Sequence, residues 1–453
     1  MDFLDKIVLP QSANHMELLR GLLTITFIIL IPYLSILTGS TIYSILYLKK
    51  KKTGKESLYF KFAKELIDMV TLNKSMAFGF GIIPLITAVF CYAQLLDKTG
   101  SYVAYHLTVS LIFLIAALLF LYTYKYAFHL KDIFRFISSD KIKESNDESI
   151  EDEFEKYSST ADRTFNKFAG WGLLFLLIAD YKLINAIQLA LNPQKWAPNP
   201  SFLSVWFSVP VIVNFITLLI ASLAVTAIVV LYIYFRPNSN FKGNDEYLNI
   251  VKNFSLKSGL LFTLFIPIDI LLNIVVVPSA ALNANIFLFS LIALILILIA
   301  CNFLYVMIKE GNLKYVPSTL FVFILIFAFL IVKDQFAFET ASSKHFAVLE
   351  NNYEQHSKNL KEKLGVISEK VSGKDIFNGR CIACHSFDHK VVGPPYNETL
   401  PQFEGKMDEL VDFILNPRKI NKDYPIMPNQ GLKPNEARAV AEYIMSVYKE
   451  NKK

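Results

Sequence analysis

Cys381-Ile382-Ala383-Cys384-His385 spells C-x-x-C-H, and its reading decides what the carboxy-terminal part of this 453-residue chain is. Two thiols three positions apart can each add to one vinyl group along the same porphyrin edge. The adjoining His385 then brings its imidazole within reach of the iron from the proximal side. The spacing is a chemical requirement of c-type haem attachment, and the histidine separates it from a bare C-x-x-C pair. A reducible dithiol, or half of a zinc site beside an unrelated histidine, is the alternative.

An iron that carries electrons takes a second axial ligand, and a His/Met pair raises its potential. Met407, Met427 and Met445 follow the motif. Met407 opens an amphipathic stretch, and Met445 sits among apolar residues at helical spacing between Glu436 and Tyr448, so both read as core. Met427 lies in Tyr424-Pro425-Ile426-Met427-Pro428-Asn429. Its two prolines forbid a regular helix and set an extended loop, which suits presenting one side chain to a fixed point. Met427 is the expected distal ligand; a loop methionine packed on the haem edge is the alternative.

Residues 373–448 resemble a class I cytochrome c domain over its full length. The resemblance rests on Lys374-Asp375-Ile376-Phe377 running into the motif, the Gly393-Pro394-Pro395 turn, the Met427 loop, and a last helix entered at Lys433-Pro434-Asn435-Glu436. It implies one covalent haem c. It also implies that Pro394 packs on the proximal His385 and that Tyr443 of the last helix crosses Phe377 of the first.

The whole chain is 53% hydrophobic and 19% charged, with mean hydropathy +0.40. A soluble domain is about a quarter charged, so most of this chain is expected in lipid. Its net charge of +6 belongs to aqueous loops, because the basic residues cluster at helix ends, and it implies no nucleic-acid partner. Cys91 and Cys301 sit singly in apolar runs and read as core.

Apolar runs long enough to cross a bilayer fall near 18–48, 76–96, 102–128, 168–191, 203–235, 259–277, 286–308 and 316–332. The first follows Asp2, Asp5 and Glu17 and lacks a basic region and a cleavage site, so it reads as a retained span. Lysine and arginine fall on alternate loops. Lys49, Lys50, Lys51, Lys52 and Lys55 follow the first span, and Lys131, Arg135, Lys141, Lys143, Lys156 and Arg163 the third. Arg236, Lys242 and Lys252 follow the fifth, and Lys309 and Lys314 the seventh, against Lys6, Lys98 and Lys195 opposite. The amino terminus is thus outside, and eight crossings bring Cys381 out as well. That is the side on which the cytochrome c resemblance implies haem attachment in bacteria.

The expected architecture is all-α: a polytopic transmembrane bundle over 1–333, a helical stalk or linker over 334–370, and a monohaem cytochrome c domain over 371–453. The segment 138–159 reads as a solvated inner loop. Glu56–Leu72, with Leu58, Phe62, Leu66 and Met69 at helical spacing and lysines between, reads as lying along the inner membrane surface.

Ionisable residues inside spans are the functional candidates of the membrane part, since a charge in lipid is costly. They are His15 and Glu17, His106, Asp180 with Lys182, and Asp269. Either aspartate could take a proton or bind a quinol hydroxyl; an ion pair to Lys182 or a hydrogen bond between helices is the alternative. His15 and His106 both lie near the outer face and could ligate a haem b; hydrogen-bonded structural histidines are the alternative.

The first five spans resemble the large subunit of cytochrome bd-type quinol oxidases. The resemblance rests on His15 just before the first span, on span spacing, and on Asn185-Ala186-Ile187-Gln188 leading to Asn192 through Pro200. It implies that His15 is a haem ligand. Span five (Trp206 to Asn214) carries no histidine and span three no glutamate where that family has them. The resemblance therefore implies a subunit that passes electrons or supports a catalytic partner.

The expected function is electron transfer within a membrane respiratory complex of a bacterial cytoplasmic membrane. The partners would be other respiratory subunits, such as a bd-type oxidase-like one, the lipid bilayer and quinol. A catalytic quinol oxidase or dehydrogenase subunit is the alternative.

Overall fold

The computed structural model describes residues 11–50, 56–136, 148–196, 207–237, 244–363, 372–420 and 424–452. Asp2, Asp5, Lys6, Lys51, Lys52, Lys55, Lys141, Lys143, Pro198 to Pro200, Trp206, Lys242 and the linker residues 364–370 lie outside them. Among the described residues there are helices and no strand.

Among the described residues, eight helices are long and apolar enough to cross a membrane. They are α1 (Ala13–Leu48), α3 (Lys74–Leu95), α4 (Val103–Phe136), α5 (Glu148–Ala190), α6 (Val209–Phe235), α7 (Asp245–Val276), α8 (Ala284–Glu310) and α9 (Val316–Lys363). The short α2 (Glu56–Val70) lies between α1 and α3. Starts are set by side chains that take up the free amides of a first turn: Ser12 accepts from His15, Asn244 from Glu246 and Asn283 from Ile286. The last turn of α8 stops at Gly311, whose φ of 70° suits a residue without Cβ.

The chain divides into two compact units at Tyr353/Glu354. In the first, α1 to α5 pack around Leu23, Phe27, Leu30, Leu85, Leu114, Tyr124 and Leu176, all buried. A second core joins α6, α7 and α8 to the start of α9 through Ile228, Ile297, Leu304 and Phe323. Large apolar side chains point outward along α7 and α8 (Leu261, Leu264, Phe265, Ile268, Leu271, Leu291, Ile295, Leu298). Exposed apolar patches on that scale suit contact with lipid rather than water.

The structure changes three sequence expectations. The apolar face of α2 is not laid on lipid: Phe60, Ala63 and Ile67 are buried in the main core, and Phe62 and Leu66 beside Tyr43 and Phe254. Its polar side is bonded to α4, through Lys64 to Asp132 (2.5 Å) and Asp68 to His129 (3.1 Å). Both tyrosine hydroxyls of Tyr234 and Tyr247 donate to Glu65. Second, helix α5 already begins at Glu148, so half of the expected inner loop is helical, with Phe154 against Phe134 of α4. Third, α9 runs unbroken past 333, and Ala337, Phe338, Ala341 and Leu349 are buried in the main core. The stretch from 334 to 349 is therefore packed bundle rather than a free stalk.

The second unit holds α10 (Gly373–Ile376), α11 (Tyr396–Thr399), α12 (Met407–Leu415) and α13 (Pro434–Asn451). Its core gathers Phe377, Leu400, Leu410, Val440, Ile444 and Met445.

Candidate haem site

Helix α10 does not simply continue into the motif. Residues Phe377–Cys381 form one wide turn, closed by the amide of Ile382 on the carbonyl of Phe377 at 3.0 Å. Such turns swell a helix by one residue and are frequent at functional sites. The next bonds tighten again: both Cys384 and His385 donate to the carbonyl of Cys381 (3.1 and 3.0 Å). Cys381, Cys384 and His385 are thereby gathered on one short arc.

The first helix is held down by the last. Tyr443 lies on Phe377 with ring centroids 5.6 Å apart. A Cβ on Gly373 would collide with the main-chain carbonyl of Ala439 and with Tyr443, so α10 and α13 touch backbone to backbone there.

The histidine is clamped. Its Nδ1 lies 3.1 Å from the carbonyl oxygen of Pro394. A carbonyl can only accept, so Nδ1 carries the proton and Nε2 is left as the lone-pair nitrogen that a metal takes. Gly393 comes so close that a Cβ there would strike the imidazole. The ring of Tyr396 stacks on the imidazole at 4.9 Å with an interplanar angle of 24°. The turn itself is fixed by amides of Val392 and Gly393 on the carbonyl of Cys384 (3.2 and 2.8 Å).

A cavity of 280 Å³ opens beside this arc and is lined by Cys381, Cys384, His385, Pro394, Tyr396 and Met427 among others. Met427 is half-buried, while Met445 is buried in the core and Met407 packs on it. The methionine loop is tied at two points. Arg380 donates to the carbonyl of Gln430, and Asn429 donates to the carbonyl of Leu415 (2.9 Å).

Both thiols are unbridged, and burial, with Cys384 beside it, pushes the Cys381 thiol above its ordinary range. Among the described residues no group of three or more His, Cys, Asp or Glu gathers around a point. Unbridged thiols, an imidazole with its outer nitrogen free, and a thioether on one cavity fit a haem joined through Cys381 and Cys384.

The membrane candidates do not converge. His15 lies at the seam of α1 and α3, bonded through Nε2 to Gln94 at 3.0 Å. His106 is buried in α4 beside Lys182 of α5. Asp180 is fully buried and accepts from Thr38 of α1 at 2.6 Å, which is the hydrogen bond between helices. Asp269 is buried in α7, and Asn273 one turn on bonds its carbonyl and Thr217 of α6, both at 2.9 Å.

The residues singled out from the sequence, Cys381, Cys384, His385, Pro394 and Met427, line one cavity, and Tyr443 lies on Phe377. Sequence reasoning passed over Gly393 as a contact, Tyr396 and Arg380. The run Gly393-Pro394-Pro395-Tyr396 held the signal for the first two: a glycine where a ring must approach, then an aromatic one residue past the prolines.

The cytochrome c family model matches residues 371–448. Cytochrome c-551 of Pseudomonas denitrificans is 30% identical over 80 residues, which make up 17% of this chain and 98% of that relative. No solved structure matches. The likeness of the first five spans to bd-type oxidases gains no support from these comparisons. With its motif, its clamped histidine and the matched length of residues 371–448, the chain belongs to the cytochrome c family.

Proposed function

We propose that this protein is a membrane-anchored c-type cytochrome that relays single electrons at the outer face of a bacterial cytoplasmic membrane, as a subunit of a respiratory complex. The observation that carries the reading is the placement of Cys381, Cys384, His385 and Met427 on one cavity. A haem held there supplies a reversible one-electron couple. The residues do the rest. Cys381 and Cys384 hold the group covalently, His385 offers Nε2 because Pro394 fixes its other nitrogen, and Met427 offers the thioether. The eight apolar helices anchor the carrier.

A relay of this kind needs no acid–base group. It needs a potential set by the axial pair and a partner within tunnelling reach. The test is Met427→Ala in the full-length protein purified from membranes. Covalent haem is expected to be retained, with a lowered midpoint potential and loss of the methionine–iron charge-transfer band. An unchanged potential and band would place the sixth ligand elsewhere.

A further inference from the structure

The χ2 torsion of a histidine is broad, so one hydrogen bond at Nδ1 restrains the ring's rotation about the Cβ–Cγ bond loosely and contacts on its faces narrow it further. On His385 the edge is held by the carbonyl of Pro394, and Gly393 sits against the ring. Tyr396 supplies a face. Its ring is nearly parallel to the imidazole at 4.9 Å. The tyrosine has little freedom of its own. Its amide donates to the carbonyl of Ser386 at 2.9 Å, and its ring packs on Phe387 at 5.2 Å and Phe377 at 6.0 Å.

We propose that Tyr396 is a positioning residue for the proximal ligand: its ring fixes the rotation of the His385 imidazole and shields that ligand from water. The inference rests on the reading of His385 as the iron's proximal ligand. It goes beyond that reading by assigning the orientation of the ligand to an aromatic neighbour outside the motif. Two consequences follow physically. The imidazole plane has one setting, so a ferric low-spin signal has one set of g-values. Excluding water from the ligand's side disfavours the more charged ferric state, so the ring raises the potential.

The experiment compares haem-loaded, full-length protein with its Y396F, Y396L and V440A variants, by electron paramagnetic resonance of the ferric form and by redox titration. Phenylalanine keeps the ring, and Val440 is buried in the same core but does not line the cavity. Y396L is expected to shift or split the g-values and lower the potential, while Y396F and V440A stay at the native values. Native g-values and potential in Y396L would overturn the proposal. An equal displacement in V440A would also overturn it, because the effect would then be general packing.

If Y396L does not retain haem, Y396M, which fills the space without a ring, takes its place and native behaviour there overturns the proposal. Loss of haem from both with retention in Y396F supports it, and loss from all three overturns it. The ligation reading fails separately, if the unaltered protein carries no covalent haem on a denaturing gel.

Discussion

At the scale of single residues, the site depends on what Gly393 lacks. Any Cβ there meets the imidazole of His385, and the turn cannot retreat because Val392 and Gly393 are both bonded to the carbonyl of Cys384. Gly393→Ala is therefore expected to push the imidazole off the Pro394 carbonyl at a cost of about 1–3 kcal/mol. The measurement is the ferric optical spectrum, which should gain a high-spin component; a purely low-spin spectrum at native holo-protein yield would contradict the argument. Met427 and His385 were legible in the sequence because their chemistry is tied to local features, a motif and a proline pair. Gly393 and Tyr396 were not, because their work is a contact made across a turn, and a turn's closure is not written in any periodicity.

At the scale of elements, the small unit is closed by two contacts of different kinds. One is the backbone approach of α10 to α13 at Gly373. Gly373→Ala puts a methyl against the carbonyl of Ala439, and the helices must part, again for about 1–3 kcal/mol. Thermal unfolding followed at the haem band should begin earlier than in the unaltered protein, and an unchanged midpoint would show that the helices can separate freely. The other contact is ionic. Lys452 at the end of α13 bonds Glu404 at 2.8 Å, just before α12.

Hydrogen bonds from Lys452 and Tyr448 hold the Glu404 carboxyl below its usual range, and the bond to Glu404 holds Lys452 above its own. A depressed carboxyl contributes stability above its unfolded value and loses it as pH falls through its folded value; the raised lysine loses its share only as pH climbs past the lysine range. Acid is thus the side on which this clasp opens. Glu404→Gln should flatten the acid limb of the stability profile by lowering the neutral plateau toward the acid value, and by little, because the pair is exposed. An acid limb as steep as before would place the titration elsewhere. The eight spans were readable as apolar runs, but what α2 buries was not: its period announces an apolar face, while the chain alone does not say whether lipid or Tyr43 and Phe254 cover it. The packing of the helix through 334–349 was hidden for the same reason, since Phe338 and Leu349 are spaced among polar residues and find their partners on other helices.

At the scale of the whole molecule, the proposed topology of eight crossings would put both ends of the chain on one side of the bilayer, with the lysines setting which side. Residues 49–55 carry five lysines, and the segment between α4 and α5 carries Lys141 and Lys143 with Lys131 and Arg135 at its edge. Moving such clusters outward during insertion is opposed, and loops this short follow the bias. A phosphatase that is active only outside the cytoplasm should therefore be active when fused after Lys453 and silent when inserted between residues 141 and 143. Haem attachment supplies an independent readout in the same cells, since a carboxy terminus on the inner side would leave Cys381 and Cys384 without covalent haem. The reverse pattern, activity in the basic loop and silence at the carboxy terminus together with a haem-free chain, would remove the outer-face relay and leave Cys381, Cys384 and His385 to be explained as a dithiol beside a histidine.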